Sequence, residues 1–353
     1  MIKYLGSKRR LVPVLGDICG AIGARTTLDL FTGTTRVAQE FCRRGSYVHA
    51  NDVASYAQAL AGCYVLPDAD LVDPAEVTGA IEELHALPDV DGYVTEVFCQ
   101  QARYFQPHNG RRIDAIRAGI EAYAGTWLYP VLLTSLLEAA DRVDSTIGLQ
   151  MAFLKQWSRR SYAPLRLRVP QFTPSTGRVW GLDAAEAARR VGPVDLAYLD
   201  PPYNQHRYFT NYHVWETLVR GDEPEHYGIA CKRADAREQR TKSAFNYRGT
   251  IATALAQVLA AVRAEVVVVS FNNEGFIPLA ELVEMCRAQH RTVEVWEFDM
   301  PRHIGAQIGI HNLHGTKVGQ VGHLRNVEYL LVCGEPDRVA SISRAAQSSP
   351  AMR

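Results

Sequence analysis

Short β-branched runs closed by turn residues recur along the chain and read as buried strands. They are Thr26–Phe31, Tyr47–Ala50, Arg178–Leu182, Val194–Leu199, Glu265–Ser270, Thr292–Phe298 and Asn326–Cys333. Helical patterns lie between several of them, at Thr35–Arg44, Ala54–Tyr64, Ile251–Arg263 and Leu279–Gln289. Strand–helix alternation with helix-length crossovers predicts an α/β fold: a seven-stranded, parallel, doubly wound Rossmann-like sheet. The stretch from Leu66 to Gln171 breaks the pattern. It holds no convincing strand, but helical periodicity at Ile113–Ala122 and Tyr129–Arg142. Residues 1–65 and 172–335 are therefore expected to form one sheet domain, 66–171 a helical insertion, and the Ser/Ala/Arg-rich 336–353 a flexible tail.

Composition adds bounds to this picture. With 353 residues, 47% hydrophobic and 22% charged, the chain can bury a sizeable core. No run approaches the ~18–20 apolar residues of a membrane span. Met1–Arg10 carries Lys3, Lys8, Arg9 and Arg10 without a signal-peptide apolar core. Seven cysteines, scattered and never paired as CxxC, fit a reducing, cytoplasmic setting rather than a disulfide framework or zinc cluster. His206, His213, His303, His311, His314 and His323 likewise match no tight ligand spacing, so no metal is expected.

Equal numbers of Lys+Arg and Asp+Glu, 38 of each, give zero net charge. The average hides strong asymmetry. Leu66–Gln100 has nine acids and no Lys or Arg, whereas Lys155–Arg168 has five basic residues and no acid. Cys231–Arg248 has six basic residues against Asp235 and Glu238. With the cationic N-terminus, these make three basic segments able to meet phosphates, so neutrality does not exclude a nucleic-acid partner.

Two motifs carry chemistry. Leu28-Asp29-Leu30-Phe31-Thr32-Gly33-Thr34-Thr35-Arg36 runs from a strand through a tight turn into a helix. Gly33 permits the sharp turn and close approach of a ligand, and the helix opens with free N–H groups. Asp52, nineteen residues later and just past the second strand, stands where a carboxylate accepts ribose hydroxyls. The alternative is that Asp52 simply caps the next helix. Without G-x-G-x-x-G, a nicotinamide cofactor is disfavoured. The second motif, Asp200-Pro201-Pro202-Tyr203, follows the Val194–Leu199 strand, at the sheet edge where open α/β folds bind ligands. Two prolines stiffen the backbone and remove N–H donors. Asp200 and the Pro201 carbonyl can each accept a hydrogen of an exocyclic amine while Tyr203 stacks on its ring. The nitrogen lone pair is then placed to attack an electrophilic methyl group.

These residues resemble the adenine-N6 DNA methyltransferases with a DPPY motif, in the Dam-like, type II modification methylase group. Lys3-Tyr4-Leu5-Gly6-Ser7-Lys8 is similar to the family's N-terminal motif, which closes over the methionine end of S-adenosylmethionine. Phe31-Thr32-Gly33 looks like its FxG turn, with Thr35 replacing the second glycine of FxGxG. Asp52 resembles the ribose acid, and Asp183 the acid that contacts the cofactor's adenine. Ser270-Phe271-Asn272-Asn273-Glu274 follows the fifth strand, as in relatives nearest the type II modification methylases. The resemblance implies that Tyr4, Gly6, Lys8, Asp29, Phe31, Gly33, Asp52 and Asp183 bind S-adenosylmethionine. It also implies that Asp200, Pro201, Pro202 and Tyr203 are catalytic.

A base inside a duplex must be flipped out to reach such a pocket. The segment Asn204–His213 interleaves polar, cationic and aromatic side chains. Arg207, Tyr208, Tyr212, Lys232, Arg233, Arg237, Arg240 and Lys242 are the candidate contacts to double-stranded DNA, with a helix face packing inward as the lesser reading of Tyr208 and Tyr212, which lie four apart. The insertion is the candidate target-recognition unit, Gly305–Gly322 a mobile loop, and a cognate restriction endonuclease the candidate partner. Structured RNA as substrate, cytosine-N4 methylation and a catalytically silent nucleic-acid-binding module are the competing readings.

Overall fold

The structure, a computed structural model, describes residues 2–6, 8–174, 177–290, 292–301, 310–311, 317–319 and 325–347. Seven strands form the central sheet: β1 (Thr26–Asp29), β2 (Tyr47–Asn51), β3 (Gly177–Trp180), β4 (Pro193–Leu199), β5 (Arg263–Asn272), β6 (Thr292–Pro301) and β7 (Arg325–Gly334). Their order is β3-β2-β1-β4-β5-β7-β6. The order reverses between β1 and β4, which opens a crevice at the carboxyl ends of those two strands. Each of the seven apolar runs read from the sequence falls on one of these strands.

The expected all-parallel sheet needs one correction. β7 lies between β5 and β6 and pairs with both antiparallel. Parallel neighbours need a crossover element, whereas an adjacent antiparallel strand can return directly. Most of Gly305–Gly322, with His303, His314 and His323, lies outside the described residues.

Helices cover both faces of the sheet. On one face Leu15, Ile18, Phe41 and Val48 pack with Val266, Val268, Leu330 and Val332. They come from α1 (Val12–Ala21), α2 (Arg36–Arg43) and the strands. On the other, α7 (Ala184–Val191), α10 (Ile251–Ala261) and α11 (Leu279–Arg287) bury Ala188, Leu255 and Leu282 against Val267, Val269 and Leu331. The supposed flexible tail is a helix, α12 (Pro336–Gln347), at least as far as Gln347. Its Val339, Ile342 and Ala346 are buried, and it packs on α1. Their spacing puts the three on one helical face, which outweighs the polar composition of the segment.

The 66–171 stretch is helical as expected: α4 (Pro74–Ala86), a π-helix at Val94–Gln101, α5 (Pro107–Ile120) and α6 (Leu128–Val143). Pro74 at the first turn and Asp73, accepting from Ala75 N–H at 2.9 Å, start α4. The core of this stretch is shared. Phe98, Phe105, Ile116, Leu132 and Leu136 pack with Tyr56 and Leu60 of α3 (Ser55–Tyr64). Tyr212 and Trp215 join from the segment that follows the DPPY motif, through α8 (Tyr208–Asn211) and α9 (His213–Arg220). Three stretches distant in sequence thus make one hydrophobic core beside the sheet.

Candidate active site

β4 delivers Asp200 to the edge of the crevice. Lys8 Nζ lies 3.1 Å from Asp200 Oδ1 and also contacts Glu328 Oε1 on β7. Lys8 and Glu328 are only 7% and 6% exposed. Ser270 Oγ donates to the same Glu328 oxygen at 3.1 Å. Burial pushes Asp200 up to about 6, and the charge of Glu328 adds to the rise while Lys8 opposes it. For Lys8, burial disfavours the ammonium. Asp200 and Glu328 together outweigh that and hold the group well above the usual lysine range.

Tyr203 is clamped from three directions. Asn272 Nδ2 donates to its hydroxyl at 2.9 Å, Phe276 N–H donates to its carbonyl at 2.8 Å, and Phe271 packs at 5.2 Å between ring centres. Two of these three contacts come from the end of β5. Pro201 is buried and Pro202 half-buried, which fixes the loop between the acid and the aromatic face.

The second corner lies at the ends of β1 and β2. Gly33 sits at φ 49°, and a side chain there would meet the Tyr4 ring at 3.2 Å. Thr35 adopts φ 63°, the left-handed conformation that glycine reaches freely. That costs a threonine about 1–2 kcal/mol. Its hydroxyl donates to Thr34 O at 2.6 Å and accepts from Gln39 Nε2 at 2.8 Å, so the backbone shape of the second glycine survives the replacement. Asp52 accepts from Gly33 N–H and Ala54 N–H, each at 2.9 Å. It both closes the turn and leads into α3. Burial pushes it up to about 6. Asp29 accepts from Thr32 Oγ1 at 2.9 Å and Ala38 N–H at 3.1 Å through Oδ2. Its Oδ1 is buried without a hydrogen-bond partner, and burial raises this acid to about 7. Asn51, unremarked in the sequence, ties the corner together. Its amide donates to Leu30 O at 3.1 Å and Leu182 O at 3.2 Å and accepts from Leu182 N–H at 3.1 Å. This fixes β1 and β3 ends together and with them the exposed Asp183, which accepts from Ala185 N–H at 3.0 Å as the cap of α7.

Residues 2–6 and Lys8 form a strap across these corners. Tyr4 stacks on Tyr212 at 4.6 Å and on Tyr208 at 5.3 Å, and its hydroxyl is 3.2 Å from that of Tyr56. Leu5 N–H donates to Tyr212 OH at 2.5 Å. Gly6, at φ 73°, passes beside Tyr208 OH. Lys3 pairs with Asp141 and Asp144 at the end of α6. Two of the N-terminal cations, Lys3 and Lys8, are thus engaged inside the protein rather than displayed to phosphates.

Several expected DNA contacts need the same correction. Tyr212 is 0% exposed and belongs to the inward helix face, as does most of Tyr208. Arg233 is 2% exposed and forms bidentate pairs with Asp222 at 2.6–2.7 Å and with Asp235 at 2.8–3.0 Å. Arg207 ties its loop to Ala236 O. Long cations read from sequence as a surface patch here satisfy buried carbonyls and carboxylates. Arg237, stacked 3.7 Å over Tyr227, and Arg240, beside Glu238, remain on the surface, with Lys232 and Lys242 half-buried. Lys155, Arg159, Arg166 and Arg168 are exposed, while Arg160 pairs with the buried Asp144. His213 is structural. It is buried at hydrogen-bonding distance from Tyr104 OH and Gln150 O, and burial lowers it to about 3. Among the described residues no group of three or more His, Cys, Asp or Glu side chains is placed to hold a metal ion.

Over residues 4–271 the sequence matches the family described as D12 class N6 adenine-specific DNA methyltransferase. The chain belongs to this family. It is 27% identical over 300 residues to the type II methyltransferase M.NlaIII of Neisseria lactamica, covering 80% of this chain and 87% of the relative. It is 28% identical over 307 residues to the modification methylase StsI of Streptococcus sanguinis and 28% over 308 to the modification methylase LlaI of Lactococcus lactis subsp. lactis. Each match covers 81% of this chain but only 46% and 48% of those relatives, so the chain spans about half their length. The family match covers the DPPY motif, the Gly33 turn and the strap, the three features built around the crevice.

What the sequence did not reveal in this methyltransferase is the supporting layer. Glu328, Asn51 and Glu216 are single polar residues in apolar surroundings, and their roles exist only across the fold. Glu216, on α9 and fully buried, accepts from Ser55 N–H at 3.0 Å at the start of α3 and pairs with Arg220 at 2.9 Å. An acid inside an otherwise apolar run was the one available signal, since a buried charge must find a partner.

Proposed function

We propose that the protein transfers a methyl group from S-adenosylmethionine to the N6 amine of a flipped-out adenine in a specific double-stranded DNA sequence, as the modification enzyme of a restriction system. The observation that carries this reading is the DPPY loop itself: a sheltered carboxylate beside a clamped aromatic ring, facing a second corner with acids suited to a nucleoside. The residues present fit that cofactor. Asp29 has an unpartnered buried oxygen, Gly33 makes the tight turn at positive φ, and Asp52 and Asp183 stand at the two strand ends that a nucleoside would bridge. Tyr4, Gly6, Lys8 and Phe31 complete the enclosure. When bound, the cofactor supplies an electrophilic methyl group beside the motif.

The protein's own part is to hold the amine. Asp200 accepts one amine hydrogen and the Pro201 carbonyl the other, which keeps the nitrogen lone pair free toward the methyl group. Tyr203 stacks on the base, a contact worth ~1–3 kcal/mol. The proton lost from nitrogen after transfer passes toward Asp200. Arg237, Arg240, Lys232 and Lys242 are the cations we assign to phosphates, and the helices of 66–171 the unit we assign to sequence readout. A cytoplasmic location, where cellular DNA is the substrate, and a cognate endonuclease go with this role.

The test is incubation with labelled cofactor and unmethylated duplex DNA, followed by nucleoside digestion and mass spectrometry. N6-methyladenine in duplex DNA is expected. N4-methylcytosine, label confined to structured RNA, or DNA retention with no transfer would each replace this reading with its named competitor.

A further inference from the structure

Asp200 has two oxygens, and the structure distinguishes them. Oδ1 faces Lys8 at 3.1 Å, which leaves Oδ2 for an incoming amine. Lys8 in turn is gripped between two acids, and the second, Glu328, comes from a different strand with its own anchor in Ser270. Glu328 sits opposite Asn272 in the β5–β7 register, and Asn272 holds the Tyr203 hydroxyl. One strand pair therefore supports both halves of the loop: Asn272 steadies the aromatic face and Glu328 the cation behind the acid. A carboxylate at 6% exposure would be costly to retain in an apolar strand without a partner.

We infer that Glu328 is a positioning residue of the methyl-transfer reaction, which holds the Lys8 ammonium on Asp200 Oδ1 so that Oδ2 points to the target amine. This rests on the proposed adenine methylation. Without Glu328 the ammonium has one acid instead of two and is free to cross onto both Asp200 oxygens, competing with the substrate for its acceptor. The relay runs from Ser270 to Glu328, Lys8 and Asp200, and of these only Asp200 touches the target amine.

The electrostatics give a readout that a packing role would not move. The groups facing Asp200 are Lys8 from the strap, Glu328 from β7, Tyr198 of β4, Asp29 of β1, Tyr203 of its own loop and Tyr208 of α8. Asp200 must be ionised to accept the amine, so kcat falls as pH drops through its pKa of about 6. Glu328 raises that value and Lys8 lowers it. Removing each should displace the acid limb in opposite directions.

The experiment is a pH profile of kcat on duplex DNA with saturating S-adenosylmethionine, for wild type, Glu328→Gln, Glu328→Asp and Lys8→Gln. In Glu328→Gln, kcat above the limb should fall about tenfold with KM for DNA unchanged, and the limb should move to lower pH. In Lys8→Gln the limb should move to higher pH. Glu328→Asp, which keeps the charge one methylene farther back, should keep the wild-type limb and serves if the Gln variant does not fold. An unmoved limb in Glu328→Gln, a shift in the same direction as Lys8→Gln, or a shift in the Asp variant as large as in the Gln variant would overturn the inference. A wild type that makes no N6-methyladenine would instead defeat the functional reading on which it rests.

Discussion

Asp52 and Asp200 are two carboxylates at the same edge of the same sheet, each following a strand, each sheltered from water and each pushed up to about 6. They are held in opposite ways. Asp52 accepts from two backbone N–H groups that belong to the turn and helix it joins, so letting go opens the Gly33 turn or frees the start of α3. Asp200 is held by the end of a long lysine side chain, with one oxygen left over. Backbone donors make a carboxylate part of the scaffold, whereas an ammonium on a four-carbon stem makes it exchangeable with a ligand. Under the proposed function, the Asp52 corner is thereby pre-formed for the cofactor, and the Asp200 corner keeps an oxygen for the base.

The comparison can be broken at its supports. The largest effect should come from Tyr212→Ala, because Tyr212 is fully buried where the strap, α3 and α8 meet. A cost of about 3–5 kcal/mol is expected in chemical denaturation. A change below ~1 kcal/mol would mean that the strap is not fixed by this stack. Next is Tyr203→Ala, which should leave folding intact and reduce kcat/KM for DNA by about 10- to 100-fold through lost stacking of ~1–3 kcal/mol. An equal loss of cofactor affinity would instead assign Tyr203 to the other corner. Arg237→Ala should weaken DNA binding across all sequences alike and reduce the salt slope by about 1, read from binding isotherms at several salt concentrations. Smallest is Thr35→Gly. Relief of the left-handed strain, about 1–2 kcal/mol, is offset by the glycine's entropy and the lost hydroxyl bonds, so Tm should move by only about 2 °C. A large drop would show that the Thr35 hydroxyl, not the backbone shape, maintains the turn.

Much of the fold was legible because β-branched runs such as Val266–Val269 have few other readings. The direction of β7 was not, since a strand's periodicity carries no orientation. α12 was hidden by composition: Val339, Ile342 and Ala346 are the buried positions of a largely polar segment, and only their spacing marks a face. At the site, the motif residues were readable because turns and prolines punish substitution locally. Arg233 was misread as a surface contact because the fold brings Asp222 as well as Asp235 onto it, and for Tyr212 the inward-packing alternative held, with Leu5 from the strap as its partner. Glu328 was invisible for the same reason, some 320 residues from the lysine it holds.

The division of labour between the two acids is the claim on which the rest depends. It is tested most directly by measuring Asp200→Asn and Asp52→Asn side by side, with cofactor affinity by calorimetry and kcat on duplex DNA at saturating cofactor. Asp200→Asn should bind S-adenosylmethionine within about threefold of wild type and lose kcat by about 10²–10⁴-fold. Asp52→Asn should lose about tenfold or more in cofactor affinity yet keep most of its kcat once saturated. Retained turnover in Asp200→Asn, or a loss of kcat at saturation in Asp52→Asn as large as in its counterpart, would contradict the account.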